Sequence, residues 1–245
     1  MSKNNEWKHF FGSAYQKFSQ YILTEDRTQV EVENIENILN LQTDSNILDL
    51  GCGNGRITIP LAQKGYHLTG FDGSNYSLNI ARKNAGNLPI TWIENQIKDL
   101  DSEQKFDAIL SIGTAFGYVD EHEDKTTMKK IYDMLNQGGK LLIDTENRDF
   151  MLNEYRENAW NEMGDQIVWS KRKFNPMNSR WREVISWNKD NNQESSILDV
   201  RIYSAHELIT ILETIGFKVQ KLYGSLKLDD FHIRSSRIVI VAGKG

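Results

Sequence analysis

The sequence predicts an α/β fold: a doubly wound sheet of seven strands, with an inserted antiparallel β layer and helices ahead of the first strand. Three observations predict it. Short apolar runs alternate with amphipathic stretches from residue 46 to residue 145, the rhythm of parallel strands joined by crossover helices. A glycine-rich turn, Gly51, Gly53 and Gly55, joins the first run to the first of those helices. The rhythm then breaks between about 150 and 204, where strand-like runs follow one another with no helix between them.

Residues 5 to 41 read as two helices. Trp7, Phe10, Phe11, Ala14, Tyr15 and Phe18 recur at steps of three and four, and Val30, Val32, Ile35, Ile38, Leu39 and Leu41 form a second apolar stripe. Asn46 to Leu50 is a short buried strand, and Arg56 to Lys64 a helix ended by Gly65 as a left-handed cap. Tyr66 to Phe71 is a strand, Ser77 to Asn84 a helix, and Ile90 to Ile93 and Phe106 to Ile112 are strands. Thr126 to Leu135 is a helix, stopped by Asn136-Gln137-Gly138-Gly139 before the strand Lys140 to Thr145. Val168 to Asn175, Arg180 to Trp187 and Ile197 to Tyr203 make the inserted antiparallel sheet, with Pro176-Met177-Asn178 and Asp190-Asn191-Asn192 as its turns. Ser204, with Glu207 three residues on, caps a helix over Ala205 to Ile215. Phe217 to Tyr223 and Arg237 to Ala242 complete the main sheet. The expected division is therefore 1–149 with 205–245 as the main domain, and 150–204 as a lid or substrate platform.

Composition narrows the class. With 245 residues the chain is long enough to bury a core unaided. Six Trp, nine Tyr and ten Phe exclude disorder as the main state, and the single Cys52 excludes a disulfide scaffold. No apolar run reaches membrane length, and the first residues lack the apolar stretch of an export signal, so a reducing cytoplasm is expected. A net charge of 29 − 34 = −5 disfavours sequence-independent nucleic-acid binding.

The informative stretch is Ile47-Leu48-Asp49-Leu50-Gly51-Cys52-Gly53-Asn54-Gly55-Arg56. A buried strand enters a turn whose glycines let a ligand approach the backbone, and a helix N-terminus stands behind it. A dinucleotide fingerprint would need Gly-x-Gly-x-x-Gly, whereas here the third glycine comes one residue early and an acid lies two residues ahead. This spacing resembles the first motif of the class I S-adenosylmethionine-dependent methyltransferases, whose fold is Rossmann-like. Asp72 ends the next strand, where a carboxylate can accept from a ribose diol. Thr24-Glu25-Asp26-Arg27-Thr28, Thr114-Ala115-Phe116-Gly117-Tyr118, Asp144-x-x-Asn147, Arg201-Ile202-Tyr203-Ser204 and Ser236-Arg237 look like a bacterial small-molecule branch with a strand insertion after the fifth strand.

The resemblance implies S-adenosyl-L-methionine as cofactor and a small-molecule methyl acceptor. It implies cofactor contacts from Asp49, Gly51, Cys52, Gly53, Asn54 and Gly55 of the loop, and from Asp72, Gly73, Ser74 and Ser111. It matches Tyr15 and Arg27 to residues that close over the cofactor. The family's acid beside the adenine is replaced here by Gln96-Ile97. Tyr118, Glu146 and His232 are the catalytic candidates, with Tyr118 orienting an amine or hydroxyl and the acceptor lying between it, the insertion's aromatics and the Tyr203/Arg237 region.

No pair among the five histidines has metal-ligand spacing, and no metal is expected. One cysteine inside the loop removes a cysteine-dependent base methylation, and an Asn/Asp-Pro-Pro-aromatic motif is absent after Ser111. Both argue against nucleic acid as substrate. Lys171-Arg172-Lys173 and Arg180-Trp181-Arg182 leave open an acidic acceptor, or a solvated strand edge. The alternatives are an RNA methyltransferase or a non-catalytic cofactor-binding protein of the same fold. Monomer or homodimer is expected, with no membrane partner.

Overall fold

The computed structural model describes residues 10–101, 103–189 and 192–245. Two helices lead, α1 (Ser13–Ser19) and α2 (Glu25–Leu39). Trp7 and residues 5–9 of the expected first helix lie outside the described residues. The second helix begins earlier than its apolar stripe suggests, because Thr24 accepts from the Arg27 amide and so caps it.

The main sheet follows: β1 (Asn46–Leu50), α3 (Thr58–Gln63), β2 (His67–Asp72), α4 (Asn75–Ala85), β3 (Thr91–Glu94), β4 (Phe106–Ser111), α5 (Glu121–Met134) and β5 (Leu135–Glu146). After α6 (Arg148–Asn153) come the four strands of the insertion, β6 (Asn158–Met163), β7 (Gln166–Asn175), β8 (Arg180–Lys189) and β9 (Asn192–Arg201). The chain then returns through α7 (Ala205–Ile215), β10 (Phe217–Tyr223) and β11 (Arg237–Lys244). The seven-stranded sheet runs β10-β11-β5-β4-β1-β2-β3, and the four-stranded sheet β6-β7-β8-β9. β1 to β5 pair in parallel, whereas β11 runs antiparallel to both neighbours.

Buried apolar residues cover both faces of the main sheet. One side packs Leu48, Ile109, Ile131 and Leu212, the other Ile35, Ile47, Leu61 and Leu110. That two-sided burial explains the continuous apolar runs of β1 and β4.

Four sequence expectations are corrected. The helix over 121–134 starts at Glu121, five residues before Thr126, because Asp120 accepts from the Glu123 amide. The Asn136-to-Gly139 segment ends that helix but continues as strand, with a register shift between Phe106 and Ala108 that absorbs the extra residues. The insertion has a fourth strand, Asn158–Met163, whose polar, exposed sequence has no strand signature and which is held by pairing with β7. The short helix Arg148–Asn153 also escapes the sequence pattern, and Asn147 caps it through the Asp149 amide.

Candidate functional site

β1, β2, β4 and β5 all end at one edge of the sheet, the crevice where ligands bind in open α/β folds. A cavity of about 990 Å³ lies there, walled by α1, the glycine loop, the loop after β4, the end of β5 and the inner face of the inserted sheet. That is the upper end of the range for single-ligand pockets, so it has room for a cofactor and an acceptor together.

The glycine loop is built for close approach. Gly51, Gly53 and Gly55 have φ of +77°, +55° and +81°. A Cβ on Gly51 would come 2.7 Å from the Ala115 Cβ, whereas a Cβ on Gly53 would meet no protein atom within 4 Å. Gly53 therefore borders the open space of the cavity. The Asp72 carboxylate accepts from the amides of Gly53 (2.8 Å) and Ser74 (2.7 Å), which fixes the turn. Asp49, 2 % exposed, accepts from the Thr58 hydroxyl at 2.6 Å. Burial pushes its carboxyl pKa up to about 6. Burial also holds the Cys52 thiol well above its usual range, so it stays protonated and packs as a small apolar group.

The N-terminal helices are tied onto this loop. Asn54 donates to Gln16 at 2.9 Å. Buried Glu31 pairs with Arg27 at 2.7 Å and with Arg56 at 2.5 Å, joining α2 to the start of the helical turn behind the loop. Tyr15 sits with Phe10 and Phe11 in an aromatic cluster, and Phe11 meets Tyr118 edge-on at 5.6 Å between ring centres.

Across the cavity, Arg237 donates twice to Asp144, at 2.9 and 2.7 Å, and once to Glu146 at 2.6 Å. Asp144 also accepts from the Gly113 amide at 3.0 Å. The loop after β4 is strained: Gly113, Thr114 and Gly117 have φ of +75°, +66° and +95°. A β-branched residue in that region needs outside support. Thr114 has it, donating its amide to the Asp144 carbonyl and accepting from the Glu146 amide through its hydroxyl. Gly117 is fastened at both ends, its amide to Asp124 (3.3 Å) and its carbonyl to the Arg201 amide (2.7 Å).

Of the residues singled out in the sequence, Tyr15, Arg27, Asp49, Gly51, Cys52, Gly53, Asn54, Asp72, Gly73, Gln96, Ile97, Tyr118 and Glu146 line the one cavity. Gly55, Ser74 and Ser111 stand behind it: Gly55 backs onto Ile59 and Trp92, Ser74 caps α4, and Ser111 is fully buried at the end of β4. His232 is exposed on the loop before β11, its Nδ1 accepting from the Arg234 amide, and it does not reach the cavity. Tyr203 is also displaced from its expected place, because its hydroxyl donates to buried Asp124 at 2.6 Å and the ring lies in the core. Sequence reasoning missed Glu31, Asp124 and Glu183, all cavity residues, while Asp144 and Arg172, which it named without a partner, also line the cavity. Glu31, four residues after Arg27 on one helix, was findable from charge spacing. The others are partners across distant elements and leave no local pattern.

Comparison with known proteins agrees with this geometry. Residues 47–139 match a family model described as a methyltransferase domain. A protein of Geobacillus sp. (strain WCH70) named as a methyltransferase is 28 % identical over 134 residues, covering 53 % of this chain and 54 % of that protein. The chain thus spans about half the length of that curated relative. An S-adenosylmethionine-dependent methyltransferase structure from Clostridium acetobutylicum ATCC 824 superposes with TM-score 0.81 at 17 % identity, over 98 % of both chains. An amino pentose methyltransferase of Micromonospora echinaspora gives TM-score 0.72 at 16 % identity, over 95 % of this chain and 97 % of that one. Residues 47–139 thus carry a methyltransferase domain, and the fold of nearly the whole chain is the one seen in S-adenosylmethionine-dependent methyltransferase structures.

Proposed function

We propose that this chain moves a methyl group from S-adenosylmethionine to oxygen or nitrogen of a small polar molecule. The observation that carries the reading is a cavity with two differently built ends, a glycine loop with Asp72 at one and Tyr118, Glu146 and the inserted sheet at the other. The residues present fit the cofactor. The open space at Gly53, the Asp72 carboxylate and the Gln96-Ile97 edge would hold its amino-acid, ribose and adenine parts. When bound, S-adenosylmethionine supplies a methyl carbon already activated by its sulfonium, so the protein's task is alignment and water exclusion.

Tyr118 serves that task. Burial raises its phenol above the ordinary tyrosine range, so it stays protonated and acts as an orienting hydroxyl. Glu146, held by one bond to Arg237, is the carboxylate that takes the acceptor's proton. His232 is too far out to do so. Tyr15 and Arg27 cover the cofactor from α1 and α2, and residues 150–204 act as a platform for the acceptor. An acceptor that carries an amine, as an amino pentose does, suits the carboxylates at this end.

Calorimetry with S-adenosylhomocysteine tests the cofactor half, and binding is expected where NADH gives none. Absence of heat at millimolar ligand overturns it. Incubation with methyl-labelled S-adenosylmethionine and a panel of amines, alcohols and RNA then tests the acceptor half. Label entering RNA alone would favour the RNA alternative.

A further inference from the structure

Among the described residues, Arg172 is the one basic residue of the insertion that faces the cavity. Strand alternation sets it apart. On β7, Lys171 and Lys173 fall on the outer face, while Arg172 between them lines the cavity. Directly opposite Arg172 on β8 is Glu183, and the two pair at 3.0 Å. Glu183 is 9 % exposed, and its second oxygen accepts from the Trp181 indole at 3.1 Å. Arg182 points outward and pairs with Asp199. At the other wall, Arg237 is already engaged by two carboxylates. The acceptor end is therefore lined by the carboxyls of Asp124, Asp144, Glu146 and Glu183 against the guanidiniums of Arg172 and Arg237. Lys98 and Lys227, the cavity's remaining lysines, belong to loops after β3 and β10, outside the inserted sheet.

The rest of that inner face is apolar: Met163, Val168, Ile185, Trp187, Leu198 and Val200. Three polar side chains interrupt it: Asn161, opposite Val168, and the hydroxyls of Ser170 and Ser196, both in register with Ile185. The Ser196 oxygen is buried with no hydrogen-bond partner among the described residues, which is uncommon for a native hydroxyl.

We infer that the acceptor is a neutral or cationic molecule with an apolar body, and that the inner face of the inserted sheet, with Arg172 neutralised by Glu183, excludes anions. The inference rests on the methyltransferase reading and deepens it. A carboxylate or phosphate entering here would have to break an existing ion pair or be buried without one, and both are costly. An ammonium or hydroxyl meets surplus carboxylate instead, while an indole-sized body covers the apolar rows.

Three probes sharing one body separate the cases: tryptamine, tryptophol and indole-3-propionate, titrated calorimetrically into protein saturated with S-adenosylhomocysteine. Tryptamine and tryptophol are expected to bind at least about tenfold more tightly than indole-3-propionate. Glu183→Gln, which keeps shape and frees the Arg172 charge, is expected to raise indole-3-propionate affinity about tenfold and erase the preference. Equal or tighter binding of indole-3-propionate by the wild type overturns the inference. So does binding of none of the three at millimolar concentration, or an unchanged preference in a folded Glu183→Gln protein. Failure of S-adenosylhomocysteine itself to bind is a separate result and overturns the underlying reading instead.

Discussion

The Asp72 carboxylate is at work before any ligand arrives, because the Gly53 and Ser74 amides already hold it. Its remaining lone pairs are what a ribose can use. Asp72→Ala should therefore weaken S-adenosylhomocysteine binding by about 2–3 kcal/mol, the scale of hydrogen bonds to a charged group. Gly53→Val separates binding from folding. No protein atom opposes the new side chain, so the left-handed backbone alone should cost about 1–2 kcal/mol of stability. Affinity should fall far more, and calorimetry beside thermal melts reads both; normal binding by both variants would place the cofactor elsewhere. Asp124 carries a pH signature. Burial raises its carboxyl from 3.8 to about 6, despite the Tyr203 hydroxyl bond that lowers it. Between about pH 4 and 6 the folded carboxyl keeps a proton that the unfolded chain has released. Its contribution to stability therefore falls as pH rises through that window, by about 3 kcal/mol at most. Asp124→Asn removes this slope, so its stability relative to wild type should climb from pH 4 to 6.5 and then level off. A constant difference across that range would show that Asp124 does not titrate there.

At the scale of elements, what could be read in the sequence depended on whether a segment carried its own instructions. β1, its glycine turn and Asp72 are local: an apolar run, positive-φ residues and an acid at a strand end, all within 27 residues of Asn46. β6 is not local. Asn158-Ala159-Trp160-Asn161-Glu162-Met163 becomes a strand because β7 offers an edge, and nothing in its own alternation says so. The site's acceptor end is equally non-local, with Arg237 meeting Asp144 across β11 and β5, 93 residues apart. The loop after β4 joins these worlds. Its glycines are visible in the sequence, but their reason is tertiary: a Cβ on Gly117 would stand 2.2 Å from the Arg201 carbonyl oxygen. Gly117→Ala should therefore cost more than 2 kcal/mol, roughly the combined scale of backbone strain and a core clash. Gly138→Ala, also at positive φ (+77°) but with no atom within 4 Å of the new Cβ, should cost about 1 kcal/mol. Urea melts of the two compare them, and equal losses would mean the loop relaxes away from β9.

At the scale of the whole molecule, the question is whether the inserted sheet folds as a part or with the rest. Two contacts argue for the rest. Phe18 of α1 packs into Val168 and Trp187 of the insertion, with its ring 5.4 Å from that of Trp187. At the far end, the Arg201 amide and the Gly117 carbonyl join β9 to the loop of the main sheet. α1 is in turn bound to the glycine loop through Gln16 and Asn54, so a ligand seated on that loop stiffens contacts reaching the insertion. The chain provides its own reporters, because four of its six tryptophans, Trp160, Trp169, Trp181 and Trp187, lie in the inserted sheet. Far-UV dichroism, by contrast, is dominated by the helices flanking the main sheet. Tryptophan fluorescence and dichroism should therefore report one transition at one temperature. S-adenosylhomocysteine at about a hundred times its dissociation constant should stabilise the fold by about 2.7 kcal/mol and move both signals upward together by several degrees. Phe18→Ala should part them, with the tryptophan signal melting first and responding less to the ligand. Coincident melting in that variant would mean that the far-end junction, where Arg201 meets Gly117 and Glu121 and Arg180 meets the Val119 carbonyl, suffices to couple the two sheets. A wild type whose tryptophan transition comes early and ignores the ligand would make the insertion an independent unit, with no means of sensing the cofactor.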